Sequence, residues 1–303
     1  MSGLVSAIVP AYNRADRTQR AVESVAKQTY RPLELIVVDD GSAPPLERLL
    51  TLPKEIDSSL YRHPTNAGGN AARNTGIAHA KGRYIAFLDS DDEWRPEKLQ
   101  QQIDRLESCE ARISYTGIEQ QDREGRVNTV QKATAKGELK DALLQRNVVG
   151  TFSSLVVEKD LITEIGYPDP RMPCWQDWEW YLRLAPHCRF DAIDKPLTIR
   201  HNEGDQLSEA LKKRREQAFP LMQERIRERA PTPTAARIGE AHLTYRLGYT
   251  ALRLGQYDTA RQHFLSAIRQ YPMEPAFWIY FISAGPHHPV LRRLKRQFGR
   301  LVH

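Results

Sequence analysis

The first hundred residues alternate between short apolar runs and segments with helical spacing, and this alternation constrains the fold most strongly. The apolar runs span residues 5–9, 33–38, 60–62 and 84–88, and the helical segments span 18–28, 70–80 and 96–106. Strands joined through helices form parallel sheets with helices on their faces. We therefore predict an α/β fold with a doubly wound, mostly parallel sheet.

The pattern changes further along the chain. Residues 108–199 mix strand-like and helical stretches, and the chain has helical spacing from Ala210 onward. We therefore predict two domains, 1–209 and 210–303. The second domain contains one segment with the residue spacing of a tetratricopeptide unit. Its residues are Leu247, Gly248, Gly255, Tyr257, Ala260, Phe264, Ala267 and Pro272.

Charge is distributed unevenly between these two parts. From Ala210 onward there are 17 lysines and arginines against 6 aspartates and glutamates, whereas the preceding part holds 27 basic and 32 acidic residues. Such asymmetry indicates an anionic partner for the C-terminal part. Residues 290–302 combine an apolar helical face with basic residues around it, which predicts contact with an anionic membrane surface. Packing of that face on the protein's own core is the alternative.

Two absences indicate a cytoplasmic protein. No apolar run approaches the roughly 18 residues that a membrane-spanning helix needs, and the N-terminus has no secretory signal pattern. We predict a cytoplasmic location, with peripheral attachment to the inner face of the cytoplasmic membrane if the basic tail binds lipid. Nucleic acid is not predicted as a partner, because no module that binds it is recognised.

Acidic residues follow two of the predicted strands. Asp39 comes after the second run, and Asp89 and Asp91 come after the fourth. Ligands of doubly wound sheets bind at the C-terminal ends of strands. In an extended chain Asp89 and Asp91 would project to one side and Ser90 to the other. Two such carboxylates suit a hard divalent cation that also binds phosphate, although a solvated turn or a helix N-cap would need no ligand.

Three blocks of the sequence resemble, in order, successive motifs of the family 2 glycosyltransferases. The blocks are VSAIVPAYNRADRTQRAVESVAKQTYRPLELIVVDDGS, NAGGNAARNTGIAHAKGRYIAFLDSDDEW and CWQDWEWYLRLA, and the resemblance covers residues 4–201. It implies the A-type nucleotide-sugar-binding fold and an inverting transfer from a nucleoside diphosphate sugar, usually UDP-linked, with Mn²⁺ or Mg²⁺. The implied partners are that donor and a glycan or glycolipid acceptor in cell-surface polysaccharide synthesis.

The resemblance also implies roles for individual residues. Asp39 matches the acidic residue that recognises uracil, and Arg73 lies in the block that approaches the diphosphate. Asp91 is the stronger metal-ligand candidate, Asp89 lies closer to the ribose or the metal, and His201 matches a histidine found near the metal in several relatives. The residues expected to bind the nucleotide sugar are Pro10, Ala11, Tyr12, Arg14, Asp39, Arg73, Asp89 and Ser90.

Asp177 matches the catalytic base of the family, usually the aspartate of a Glu-Asp pair. The preceding residue here is Gln176, a departure that leaves open how the acceptor site is built. Glu179 is the rival base, but helix residues two positions apart point in different directions. The base would take the proton of the acceptor hydroxyl while the diphosphate leaves, with no covalent intermediate. Without the resemblance, Asp177 would be interpreted as a helix-capping acid.

Two other classes of function remain open. A nucleotidyltransferase would also bind a nucleotide on such a sheet, but it would normally begin with a glycine-rich loop, and PAYNRADR has no glycine. A non-catalytic scaffold with a degenerate transferase domain is the second alternative. The presence of Asp39, Asp89, Asp91 and Asp177 argues against such degeneration.

Overall fold

The computed structural model describes residues 3–122, 124–201 and 211–285. The chain divides into two compact units. The first comprises Met1–Lys140, Asn147–Met172 and Gln176–Glu203, and the second comprises Asp141–Arg146, Pro173–Trp175 and Gly204–His303. The predicted domain boundary at 209/210 lies outside the described residues, so that division stays a prediction.

Within the described residues, nine strands of the first unit form one sheet. They are β1 (Val5–Ala11), β2 (Leu33–Asp39), β3 (Asp57–Arg62), β4 (Tyr84–Phe87), β5 (Asp92–Trp94), β6 (Ile113–Gln121), β7 (Val127–Gln131), β8 (Leu155–Glu158) and β9 (Phe190–His201). Their order is β3-β2-β1-β4-β8-β6-β9-β5, and β7 pairs with β6. The first four strands are mutually parallel, as are β6 and β9, whereas β5, β7 and β8 pair antiparallel. The predicted α/β class is confirmed, with a mixed sheet.

Helices alternate with these strands along the chain. The helices up to residue 184 are α1 (Ala15–Ala26), α2 (Gly69–His79), α3 (Lys98–Ser108), α4 (Lys140–Gln145), α5 (Lys159–Ile165) and α6 (Gln176–Leu184). Strands β1, β2 and β4 are buried along their whole length, as expected for parallel strands covered on both faces. Apolar side chains of these strands form one core with residues of α1 and α3.

The sheet edge where β1, β2 and β4 end positions the loops of interest. Ala11 pairs in register with Asp39, and Ile8 pairs with Phe87, so the three strands finish close together. Beyond β4 the chain turns at once, because the Asp92 N–H donates to the Asp89 carbonyl oxygen at 2.9 Å. The alternation expected of an extended chain therefore does not apply to residues 89–91.

The second unit is helical in its described part. A π-helical turn (Arg214–Ala218) leads into α7 (Phe219–Arg229), followed by α8 (Pro233–Arg253), α9 (Tyr257–Gln270) and α10 (Pro275–Ser283). Tyr245, Phe264 and Phe277 belong to its core. The tetratricopeptide interpretation of this region stays a prediction, and the basic tail 290–302 lies outside the described residues. No helix in the described ranges has the length and apolar character needed to cross a bilayer.

Candidate functional site

A pocket of about 310 Å³ opens at the sheet edge where β1, β2 and β4 end. Eight of the residues predicted from the sequence line it, whereas Asp39, Asp177 and His201 do not. The lining residues are Pro10, Ala11, Tyr12, Arg14, Asp40, Asn66, Gly68, Gly69, Ala72, Arg73, Asp89, Ser90 and Asp91. A cavity of about 470 Å³ in the second unit has one acidic residue, Glu240, which is already bonded to Arg227. The pocket at the sheet edge is therefore the candidate site.

The loop after β1 is pinned to the loop after β2. Asn13 has a φ of +52°, a left-handed conformation that asparagine tolerates better than most residues. Its N–H donates to Ser42 Oγ at 2.9 Å, and its Oδ1 accepts from the Ala43 N–H at 2.8 Å. These bonds hold the preceding residue, Tyr12, at the rim of the pocket, where it is 43% exposed. Its ring is open to a ligand and is not a packing residue of the core.

Asp39 and Asp40 are adjacent in sequence but have different surroundings. Asp39 is completely buried and accepts hydrogen bonds from the backbone N–H groups of Ser42 and Leu46 and from Arg62 Nη1, at 2.9, 3.1 and 2.7 Å. These hydrogen bonds keep the pKa of Asp39 below its usual value, although burial opposes them. The structure does not bring Asp39 to the pocket, because its carboxylate holds the loop after β2. Asp40 lines the pocket instead.

The Asp40 carboxylate is held by three donors. Oδ1 accepts from the Ala67 N–H at 2.9 Å and from His63 Nδ1 at 2.7 Å, and Oδ2 accepts from the Gly68 N–H at 2.8 Å. The other ring nitrogen of His63 lies 2.8 Å from Thr75 Oγ1. A neutral imidazole that donates through Nδ1 accepts from Thr75, which fixes the tautomer. One lone pair of Oδ2 remains to accept a bond from a ligand.

The three aspartates after β4 are stabilised in three ways. Asp89 pairs with Arg73 at 2.5 Å, and Asp91 pairs with Arg14 at 2.6 Å. Asp92 is buried and accepts a hydrogen bond from Ser153 Oγ at 2.6 Å. Burial, followed by the charge of Asp89, raises the pKa of Asp92 well above its usual value. Two ion pairs with arginine, together with a carboxyl that resists ionisation, therefore explain how three aspartates can lie so close together.

Arg73 lies on α2 at the wall of the pocket, and its side chain is only 7% exposed. Its guanidinium stacks over the ring of Phe152, 4.1 Å from the centroid. Nη1 donates to Asn70 and to Gln176, each at 3.0 Å. The buried Nε–H has no hydrogen-bond partner among the described residues. Arg73 is thus a preorganised cation that still has an unused donor.

The carboxylates of the pocket suit the coordination of Mn²⁺ or Mg²⁺. In the described ranges, no three His, Cys, Asp or Glu side chains are grouped as a metal cage. These ions usually take one or two protein carboxylates and complete their shell with phosphate and water. Asp91 fits that requirement, since its side chain is 34% exposed and faces the pocket. Asp89 is the second available carboxylate.

His201 is not brought to this group. It ends β9, and its Nε2 lies 2.6 Å from Glu93 Oε1. Glu93 also pairs with Arg20 at 3.1 Å. The contact with Glu93 occupies Nε2 of His201, and the residue does not line the pocket.

Asp177 lies in the first turn of α6, directly after Gln176, which bonds to Arg73. Its Oδ1 accepts from the Trp178 N–H at 2.7 Å. Burial raises the pKa of Asp177, and the charge of Asp89 raises it further. A carboxyl whose pKa is shifted towards neutrality is better suited to accept a proton than an ordinary aspartate.

Glu179 is completely buried, and its carboxylate pairs with Arg183 Nε at 2.8 Å. Glu179, the rival candidate for the base, is therefore engaged in a structural ion pair. Tyr181, one helical turn after Asp177, has a buried hydroxyl with no hydrogen-bond partner in the described part of the chain. Burial raises the pKa of Tyr181, followed by the charges of Asp177 and Asp89. Its hydroxyl therefore remains protonated.

Sequence reasoning missed Asp40, His63 and the glycine pair Gly68–Gly69. The signal for Asp40 was present, since it adjoins Asp39 at a strand end. His63 gave no signal, because it lies 23 residues from the carboxylate that it holds.

Comparisons with known proteins agree on one family. The sequence profile described as Glycosyl transferase family 2 matches residues 6–162. An uncharacterised glycosyltransferase of Rickettsia felis is 35% identical over 201 residues, which are 64% of this chain and 32% of the relative. The putative teichuronic acid biosynthesis glycosyltransferase TuaG of Bacillus subtilis is 30% identical over 170 residues, 55% of this chain and 67% of the relative.

A third relative has a more specific name. The UDP-Glc:alpha-D-GlcNAc-diphosphoundecaprenol beta-1,3-glucosyltransferase WfaP of Escherichia coli is 39% identical over 113 residues. The match covers 37% of this chain and 45% of WfaP. The chain thus spans about a third of the Rickettsia felis relative and under half of WfaP.

Two solved structures are similar over most of the chain. TarS 1–349 of S. aureus in complex with UDP has a TM-score of 0.63 at 18% identity, and covers 93% of this chain and 81% of its own. The mannosyltransferase PcManGT from Pyrobaculum calidifontis, in complex with GDP-Man and Mn²⁺, has a TM-score of 0.63 at 16% identity. The match covers 100% of this chain and 86% of PcManGT. At these identities the likeness establishes the fold, which is the A-type fold expected from the sequence.

Proposed function

Because this chain belongs to glycosyl transferase family 2, we propose that it is an inverting glycosyltransferase that moves a sugar from a UDP-linked donor to a hydroxyl of a glycan or glycolipid acceptor. The observation that carries this proposal is the pocket itself. It combines a carboxylate with a lone pair available, Asp40, and two arginine–aspartate pairs, Arg14–Asp91 and Arg73–Asp89.

The hydrogen bonding of Asp40 supports uridine as the base of the donor. Guanine presents two adjacent N–H donors, which a carboxylate accepts with both of its oxygens. Oδ1 of Asp40 already accepts from His63 and Ala67, so a guanine would leave one donor unpaired. Uracil presents a single imide N–H, which the remaining lone pair of Oδ2 accepts. An unpaired buried donor is costly, so Asp40 favours UDP over GDP. This proposal gives the base-recognition role to Asp40 and leaves Asp39 with the loop.

The two arginines support binding of the diphosphate. Arg14 and Arg73 line the same pocket, and each guanidinium is oriented by an aspartate. Arginine forks bind phosphate oxygens strongly when they are held in place beforehand. We assign Asp91, with Asp89, as the residues that would hold Mn²⁺ or Mg²⁺ beside the diphosphate. When bound, the ion would neutralise charge on the leaving group.

Asp177 supports the inverting reaction in the role of general base. Its pKa is raised by burial, so its carboxylate accepts a proton more readily than an exposed aspartate. We assign it the proton of the acceptor hydroxyl as that oxygen attacks the anomeric carbon and the bond to the diphosphate breaks. One displacement of this kind inverts the configuration at that carbon and uses no covalent intermediate.

Relatives support an acceptor in polysaccharide synthesis. Their names refer to teichuronic acid biosynthesis, to succinoglycan biosynthesis and to a diphosphoundecaprenol acceptor. We propose a related acceptor and a cytoplasmic location at the inner face of the membrane. In the second unit, α10 has no charged residue, and its Trp278, Ile279 and Ile282 are each more than 40% exposed. Such a surface, followed in sequence by the basic tail, supports contact with anionic lipid.

Calorimetry with UDP and GDP, with and without Mn²⁺, tests this proposal. We expect the protein to bind UDP at least about tenfold more tightly than GDP, with Mn²⁺ strengthening the binding. Asp40→Asn should abolish the preference, because an amide can set a donor against the imide N–H. Equal affinity for UDP and GDP in the unaltered protein would refute the assignment of the base. Absence of binding to either nucleotide would refute the proposed function.

A further inference from the structure

Gln176 has a side-chain amide that is hydrogen-bonded at both ends. Its Oε1 accepts from Arg73 Nη1 at 3.0 Å, and its Nε2 donates to the carbonyl oxygen of Met172 at 2.9 Å. One contact needs an acceptor and the other needs a donor, so together they fix the orientation of the amide. A carboxylate has acceptors only, and at this position it would set one oxygen against the Met172 carbonyl oxygen. The surroundings of residue 176 therefore require a neutral group with both functions.

The bond from Gln176 holds Arg73 without neutralising it. The guanidinium donates to Asn70 and Gln176 on one side, and to Asp89 on the other. Among these three acceptors only Asp89 is charged. A second carboxylate would compete for the positive charge of Arg73, and it would add negative charge to a pocket that already contains Asp91. The Gln176 amide holds the Arg73 guanidinium in place as a carboxylate partner would. It leaves the positive charge of Arg73 available to an anionic ligand.

Gly69 places this hydrogen bond against the pocket wall. Gly69 lines the pocket, and a Cβ on it would lie 3.2 Å from Arg73 Nη1 and 3.6 Å from Gln176 Oε1. The Arg73–Gln176 contact therefore lies directly beside a glycine of the pocket wall.

We propose that Gln176 is a positioning residue for the diphosphate of the nucleotide donor. Its amide, anchored on Met172, holds the Arg73 guanidinium against Asp89 and keeps its positive charge directed at the ligand. The inference rests on the proposed function and adds to it a residue that sets donor affinity without touching the donor.

Gln176→Glu is the informative variant, because its side chain is a titratable copy of the amide. A protonated glutamic acid donates to the Met172 carbonyl oxygen and accepts from Arg73, as the amide does. An ionised glutamate loses the donor, draws the charge of Arg73 to itself and repels the diphosphate. The measurement is the Kd for UDP with Mn²⁺, by calorimetry on the full chain, from about pH 4, near the ordinary pKa of glutamate, to about pH 8.

We expect the ratio of the Gln176→Glu Kd to the wild-type Kd to fall towards one at the acidic end, as the glutamate takes up its proton. It should rise to about tenfold or more at the alkaline end. Taking the ratio at each pH removes the titration of UDP itself and of groups common to both proteins. A purely structural role would weaken binding without this dependence on pH.

Two variants serve as controls. Gln176→Met has a similar length and no hydrogen bonds or charge, so it should bind UDP more weakly than the wild type by a factor that does not vary with pH. Asn128→Asp adds the same charge as Gln176→Glu on the exposed strand β7, and its ratio should stay at one. Thermal melting of each variant establishes that it is folded under the conditions of the titration.

The inference fails if the Gln176→Glu ratio is flat across the pH range, or if Gln176→Met binds UDP like the wild type. If the wild type binds UDP and both Gln176 variants match it, the inference alone is refuted. If the wild type binds no UDP at all, the proposed function fails, and this inference fails with it.

Discussion

Among single residues, Asp177 combines a proposed catalytic role with a cost in folding stability. Burial raises the pKa of Asp177 above its value of about 3.8 in the unfolded chain. As pH rises, the unfolded state therefore loses this proton before the folded state does. Asp177 consequently costs stability once the pH exceeds the unfolded value, and the full cost is present above the folded value. This cost in stability is expected for a catalytic base whose pKa is raised in the folded state.

Asp177→Asn should therefore raise the melting temperature at neutral pH, because the amide keeps the acceptor for the Trp178 N–H and removes a partly buried charge. The gain should disappear in acid, where both states are protonated. Asp191→Asn is the control of opposite sign, since hydrogen bonding from Arg105 lowers the pKa of Asp191. That variant should lose stability at neutral pH. Melting curves across the pH range test both, and a loss of stability in Asp177→Asn at neutral pH would contradict this account.

At the residue scale, the sequence predicted most of the residues that line the pocket. It did not predict which of the adjacent aspartates, Asp39 or Asp40, lines it. Asp89 and Asp91 follow a strand end, where the fold class predicts a ligand, and the resemblance to the family added Tyr12 and Arg14. Whether Asp39 or Asp40 faces the pocket depends on long-range partners. Arg62 on β3 binds the first, and the turn at Ala67 and Gly68 binds the second. No local pattern contains that information.

At the scale of secondary-structure elements, α2 packs on β1 through a glycine. A Cβ on Gly76 would overlap the side chain of Ile8, which is completely buried in β1. Alanine in place of glycine normally stabilises a helix by about 1 kcal/mol. Here the overlap should outweigh that gain, because overpacking a core costs about 1 to 3 kcal/mol and the Cβ would lie far closer to Ile8 Cγ2 than van der Waals contact allows.

We expect Gly76→Ala to destabilise the protein by up to about 2 kcal/mol in denaturant unfolding, as the net of these two terms. Ala78→Gly, at an exposed position of the same helix, measures the propensity term alone and should cost about 1 kcal/mol. Unchanged or increased stability of Gly76→Ala would show that α2 and β1 can separate without cost. The packing of α2 on β1, which positions the pocket, would then be less tight than the structure indicates.

Elements were predictable where their sequence signal was local. The apolar runs of β1, β2 and β4 and the helical spacing of α1 to α3 predicted these elements, with boundaries within a few residues. The third strand begins at Asp57, three residues before its predicted start, because its polar first residues gain their place only by pairing with β2. In the mixed stretch 108–199, a 3₁₀ turn (Phe152–Ser154) directly precedes β8, so the apolar pattern does not locate the start of that strand. The long strand β9 contains Pro196 and a register shift against β6, which conceal it from pattern analysis.

At the scale of the whole molecule, the surplus of basic residues after Ala210 bears on where the enzyme works. Liposome flotation of the full chain and of a form ending at Gly285 tests contact with the membrane. We expect the full chain to float with vesicles that contain anionic lipid, and to do so less at high salt, because attraction of basic residues to such lipid is screened. The shortened form should bind more weakly. Equal, salt-insensitive behaviour of both forms would contradict a membrane role for the tail.

The central claim is that this chain transfers a sugar from a UDP-linked donor with Asp177 as the base. It is tested most directly by turnover of a panel of UDP-sugars with candidate acceptors, for the wild type, Asp177→Asn and Glu179→Gln. Loss of a general base typically lowers the rate about 10² to 10⁴-fold, so Asp177→Asn should lose turnover to that extent while retaining affinity for the donor. Glu179 is paired with Arg183 inside the fold, so Glu179→Gln should be less stable but nearly as active per folded molecule. Near-normal turnover in Asp177→Asn, with loss in Glu179→Gln, would contradict the account.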